Sequence, residues 1–186
     1  MKKTLLFVAV ALLSVAPLSA QFNAQPGNQK WSLGLGLLGD RTLNSNSDYP
    51  DIDQGTNGLG SFFMVEYAFD TVWGIRAQAD LFGITQDNGY DRKGGASLAV
   101  KMNISNALSK SLCRGNFYAL LGAGLTQKVV GNEDHDGYGF TLHGNIGYSY
   151  WISRELGVFS ELGVNMWDAA KYLSGNLSLG LLVRLY

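Results

Sequence analysis

In eight separate stretches of this chain polar and apolar residues alternate one by one, and every charge falls on the same side of the alternation. The stretch TVWGIRAQADLFG, residues 71–83, shows the pattern: Arg76, Gln78 and Asp80 interleave with Ile75, Ala77, Ala79 and Leu81. A repeat of two residues belongs to an extended strand with one polar and one apolar face. A sheet in water buries the apolar face and turns its charges out, whereas a barrel in lipid does the reverse. The rest of the chain decides between them.

The other seven stretches are KWSLGLGLLG, SFFMVEYAF, GGASLAVKMNI, NFYALLGAGLTQKVV, GYGFTLHGNIGYSYWI, LGVFSELGVNM and NLSLGLLVRLY. Each is at least as long as the ~9–11 residues a tilted membrane strand needs. Glu66, Arg76, Asp80, Lys101, Lys128, His143, Glu161 and Arg184 all lie in phase with glycine, serine and asparagine, and the opposite face carries no charge. Leu120 interrupts the polar face of the fifth stretch, and Ser160 the apolar face of the seventh. A soluble barrel would have to crowd eight near-uniform apolar rows around a narrow axis while glycine-rich rows faced water. In a bilayer the same pattern is economical. Lipid accepts the apolar face, and closure of the sheet satisfies every backbone N–H and C=O. Eight strands enclose a space that side chains fill. The expected fold is therefore all-β, an eight-stranded antiparallel up-and-down transmembrane β-barrel over residues 30–186.

Composition agrees: 24 Gly, 9 Tyr, 9 Phe and only 3 Pro favour strands over helices, and no apolar run outside the first residues reaches the ~18 needed for a membrane helix. Those first residues, MKKTLLFVAVALLSVAPLSA, read as a cleaved signal peptide over 1–20, with Lys2 and Lys3 ahead of an apolar core and small residues at Ser19 and Ala20. QFNAQPGNQ, residues 21–29, is then a short periplasmic lead-in. The formal charge of −1 gives no reason to expect a nucleic-acid partner. The single cysteine, Cys113, excludes an intramolecular disulfide and any cysteine-based metal cluster.

The connections alternate in length. Those at 39–57, 84–93, 131–137 and 167–175 are long or polar, those at 70–71 and 153–155 are tight, and 105–115 is intermediate. With both termini in the periplasm, the long set faces outward. Tyr67, Phe69 and Trp73 flank one tight turn, with Phe117, Tyr148 and Tyr150 at the same level; Tyr138, Phe140 and Trp167 mark the other rim, as interfacial aromatic belts do.

On these features the chain resembles the small eight-stranded outer-membrane β-barrel proteins of Gram-negative bacteria, the outer-membrane protein A-like group. The likeness covers residues 31–186 and rests on the leader, the eight alternating stretches, the loop asymmetry and the closing strand GNLSLGLLVRLY. It implies insertion by the barrel assembly machinery, contacts with outer-membrane lipid and lipopolysaccharide, and a monomer. The group's C-terminal signal places a terminal aromatic in phase with the apolar row; here Tyr186 is in phase with Arg184 instead, while Leu181, Val183 and Leu185 form that row.

The expected site is one inward polar network of Glu66, Arg76, Asp80, Lys101, Lys128, His143, Glu161 and Arg184. With 70 and 71 as a two-residue loop, Glu66 falls opposite Ile75, one residue short of Arg76. Four functions use such a scaffold. A structural or interaction protein has a filled interior. A narrow porin-like channel for ions or very small solutes needs a water path past Arg76, Lys101 and Lys128. A lipid-modifying enzyme, as some eight-stranded barrels are, needs a base at a rim, such as His135 beside a serine; His143 points inward at mid-strand. Adhesion would use the 39–57 and 131–137 loops. Asp48, Asp51 and Asp53 lie close together but miss the EF-hand spacing, and Glu133, Asp134, His135 and Asp136 form a second acidic cluster. Both read as solvated loops, so no metal, cofactor or catalytic site is expected. The reading is a non-catalytic outer-membrane protein, with the channel as its alternative.

Overall fold

The computed structural model describes residues 30–44, 57–86, 90–108, 114–130, 137–167 and 172–185. The leader at 1–20, the lead-in at 21–29, both acidic clusters, Cys113 and Tyr186 lie outside the described residues.

Eight strands follow one another: β1 (Trp31–Asn44), β2 (Asn57–Ala68), β3 (Trp73–Gln86), β4 (Tyr90–Asn103), β5 (Gly115–Val130), β6 (Gly137–Trp151), β7 (Leu156–Trp167) and β8 (Tyr172–Leu185). A short helix, α1 (Ile104–Leu108), joins β4 to β5. Every strand pairs antiparallel with its neighbours in sequence, and β8 returns to β1, closing the barrel without an edge. Closure matters because an unpaired N–H or C=O in hydrocarbon costs several kcal/mol.

The strands have 12 to 16 residues, most of them longer than the stretches read from the sequence, and they take over most of the connections expected at 84–93 and 167–175. The cause is the ladder itself. Polar residues do not end a strand whose backbone groups still find a ladder partner: 84–86 pair with β2, 90–92 with β5 and 172–175 with β7.

The tight turn is also wider than expected. Ala68 pairs with Gly74 and Phe69 N–H donates to the carbonyl of Trp73, so three residues, 70–72, make the turn. This corrects the register: Glu66 lies directly opposite Arg76. Asp70 Oδ1 accepts from the N–H groups of Val72 and Trp73, each at 2.7 Å, and Ser153 Oγ does the same for Glu155 and Leu156 at the β6–β7 turn. Short acceptors of this kind hold turns without help from the sheet. The ladder also carries a bulge: Phe62 pairs with Asp80 but Ser61 pairs with Phe82, so Leu81 is the extra residue between them.

Outward positions are apolar and open: Leu35 is 59 % exposed, Leu98 66 %, Leu121 73 % and Ile146 64 %. In water these exposures would be untenable together; in hydrocarbon they are the expected surface. Trp31, Tyr67 and Phe69 pack ring on ring at the end bearing the two tight turns, with centroids 4.7 and 5.5 Å apart, and Phe117 meets Tyr148 at 4.7 Å.

Candidate functional site

The interior is built from the in-phase residues of all eight strands. Arg76 on β3 occupies its centre. Its Nε donates to Glu66 Oε1 at 2.8 Å, and its Nη1 to Glu161 Oε1 at 2.6 Å. Nη2 also lies 2.6 Å from Glu66 Oε1 but is angled off the hydrogen-bond direction, so it adds charge contact rather than a further bond. Lys101 on β4 donates to both oxygens of Glu66, at 2.9 and 2.8 Å. Tyr118 on β5 donates its hydroxyl to Glu161 Oε1 at 2.6 Å, and Asn145 on β6 reaches Glu161 Oε2 at 3.3 Å. Two cations face two carboxylates, so the cluster is formally neutral, which is what burial of charges requires.

Rings complete it. The Arg76 guanidinium lies 5.7 Å from the Tyr118 ring and 5.9 Å from that of Phe159, and Lys101 Nζ lies 4.2 Å from Tyr118. These are within range of cation–π attraction. Beside the charges, Phe62, Met64, Phe159, Leu182 and Leu38 form an apolar cluster that fills the β7–β8–β1–β2 side. Phe62 and Phe159 meet edge to face at 6.0 Å. Tyr118, Phe62, Met64 and Leu182 are all at most 1 % exposed, and Arg76 and Glu161 are 2 %. Charge cluster and apolar cluster together occupy the cross-section.

Glycine supplies the space. Phe62 pairs across the ladder with Gly36, Met64 with Gly34, Tyr118 with Gly147 and Phe159 with Gly180. A Cβ on any of these glycines would run into the facing side chain. A large ring lying over a cross-strand glycine packs without straining either strand.

The remaining expected residues are distributed along the barrel. Asp80 accepts from Gln78 Nε2 at 3.1 Å, farther from the tight turns than Arg76. His143 on β6 stands opposite Gly122 of β5 and Asn165 of β7. The Arg184 guanidinium lies 3.8 Å over the ring of Trp151, opposite Ser32 at the tight-turn end. Lys128 belongs to β5 and is in register with Arg92 and Gly137; its side chain is outside the described residues. Thus Glu66, Arg76, Lys101 and Glu161 come together in one cluster, while Asp80, His143 and Arg184 stand at other levels.

Sequence reasoning left Tyr118 out of the site and passed over the apolar cluster. The signal was present: Leu38, Phe62, Phe159 and Leu182 all sit in phase with the charges. Among the described residues, no group of three His, Cys, Asp or Glu side chains is arranged to hold a metal.

A closed, eight-stranded meander with an apolar exterior and a polar, filled interior defines the class of small transmembrane β-barrels. Solved structures share that fold. Neisserial surface protein A matches with a TM-score of 0.61 at 12% identity, covering 83% of this chain and 97% of that one. Ail, the attachment invasion locus protein of Yersinia pestis, matches at 0.51 and 15% identity, covering 84% and 99%. OprG, an outer membrane protein of Pseudomonas aeruginosa, matches at 0.51 and 12% identity, covering 85% and 96%. No protein-family model matches the sequence, and no curated protein does. The chain has the fold of outer-membrane barrels.

Proposed function

We propose that the chain is an integral outer-membrane barrel protein with a structural or interaction role and no catalysis. One observation carries this reading: the barrel is filled across its width by the neutral Arg76–Glu66–Lys101–Glu161–Tyr118 cluster and the apolar cluster beside it, all at most 8 % exposed. A buried cluster in which each cation meets a carboxylate is scaffolding for the wall. The leader at 1–20 would deliver the chain to the periplasm, the barrel assembly machinery would insert it as a monomer, and the termini and tight turns would remain on the periplasmic side. The apolar wall would then meet membrane lipid, and the outer loops lipopolysaccharide.

The acidic loops favour particular surface partners. Ail has been crystallised with the heparin analogue sucrose octasulfate. A polyanion of that kind would meet like charge at Asp48, Asp51, Asp53, Glu133, Asp134 and Asp136 of this chain. Cationic partners, or divalent ions bridging to lipopolysaccharide, suit these loops better.

Single-channel recording of the refolded protein in planar bilayers tests the proposal. A filled barrel gives a silent membrane. Stable ohmic steps would replace this reading with the narrow channel for ions or very small solutes.

A further inference from the structure

The lipid-facing wall is not uniformly smooth. A groove of about 660 Å3 crosses β3 to β7, from Ile75 at one end to Met166 at the other. Leu121 and Leu142 rise from its walls, while Ala123 and Gly144 leave its middle low. The space over Gly144 is open: a Cβ there would meet nothing nearer than Leu121 Cδ1 at 3.9 Å.

The dimensions identify an occupant. Five adjacent strands at ~4.8 Å spacing give a groove roughly 19 Å long. Strands tilted by ~35–45° set a groove running across them at about 50° to the bilayer normal, so it climbs roughly 12 Å, close to the ~15 Å of one leaflet's hydrocarbon. Its lining is almost wholly apolar, and it opens on the wall that faces lipid. A second barrel is a poor fit. A stable interface buries ~1,200 Å2 or more, and a cleft about one side chain wide does not receive a convex barrel wall.

We propose that this groove binds one acyl chain of a membrane phospholipid, held by its hydrocarbon and not by its headgroup. The proposal rests on the outer-membrane barrel reading above and adds a defined lipid position to it.

The test is native mass spectrometry of the full chain released from nanodiscs of phosphatidylethanolamine and, separately, phosphatidylglycerol. One lipid should survive activation that strips the others, with either headgroup. Gly144→Leu, which fills the groove from a position with room for the side chain, should lower the retained fraction several-fold by removing the packing contacts of the chain it displaces. Gly39→Leu, on the lipid side of β1 outside the groove, should leave it unchanged. Equal retention in Gly144→Leu and the parent overturns the proposal. So does retention that follows the headgroup, or a protein dimer that Gly144→Leu abolishes. Both variants should still show heat-modifiable migration on a detergent gel. If the parent itself shows none and stays dissolved without detergent, the membrane reading fails, a result separate from loss of the lipid site.

Discussion

The two halves of the barrel interior do the same job with opposite chemistry. In one part Glu66, Arg76, Lys101 and Tyr118 of β2 to β5 fill space through directed bonds, with Glu161 reaching in from β7. On the β7–β8–β1–β2 side Phe62, Met64, Phe159, Leu182 and Leu38 fill it by contact alone. Directed bonds are unforgiving, because removing one partner strands another in a medium that cannot solvate it. Contact packing tolerates exchange as long as volume is kept. Stability should therefore be brittle on one side and compliant on the other.

Glu161→Leu should be the most damaging change. It deprives Arg76 of one carboxylate and Tyr118 of its acceptor, and breaking a buried pair costs about 3–5 kcal/mol. Urea titration of the refolded protein in vesicles, followed by tryptophan fluorescence, would show the midpoint fall; an unchanged midpoint would mean the interior is open to water there.

Leu35→Arg comes next and sets the inner wall against the outer. A guanidinium that is paired at position 76 has no partner at position 35, which is 59 % exposed on the lipid face. Arginine near the bilayer midplane of a barrel costs about 2–4 kcal/mol. The same titration reads it, and a neutral result would place Leu35 outside the hydrocarbon.

Met64→Leu probes the compliant half. Exchange of one buried apolar side chain for another of similar volume should cost less than about 1.5 kcal/mol, leaving the midpoint near that of the parent. A loss as large as that of Glu161→Leu would erase the distinction between the halves.

The smallest effect belongs outside the bilayer. The backbone N–H groups of Trp73 and Val72 hold the Asp70 carboxyl below its usual range. A carboxylate with a lowered folded pKa contributes stability above its ordinary pKa and loses it as pH falls through the lowered value. Asp70→Ala should therefore lower the urea midpoint slightly at neutral pH and converge with the parent in acid; Asp70→Asn, which keeps an acceptor, should lie between them. Parallel curves at all pH values would argue that the turn is held by the sheet alone.

Much of this was legible in the sequence, for a physical reason. A strand in a barrel wall has only two faces, and lipid tolerates no charge on one of them, so the parity of Arg76, Glu66, Lys101 and Glu161 fixed the direction of each. The same parity held Phe62, Phe159 and Leu182, but a polar reading of the inner face obscured them. The bulge at Leu81 did mark the pattern, since one inserted residue moves the apolar row from Ile75, Ala77 and Ala79 to Phe82 and Ile84, but Leu81 beside Phe82 let the odd-numbered row read as continuing.

By itself, then, the sequence determined which side of the wall each residue faces and that the wall must close, because periodicity is local and the bilayer penalises every exception. Only the tertiary structure decided which inward residues meet. That depends on register: a turn of three residues instead of two shifts β3 by one place and brings Glu66 opposite Arg76, and the registers of the other strand pairs set Gly36, Gly147 and Gly180 beneath Phe62, Tyr118 and Phe159.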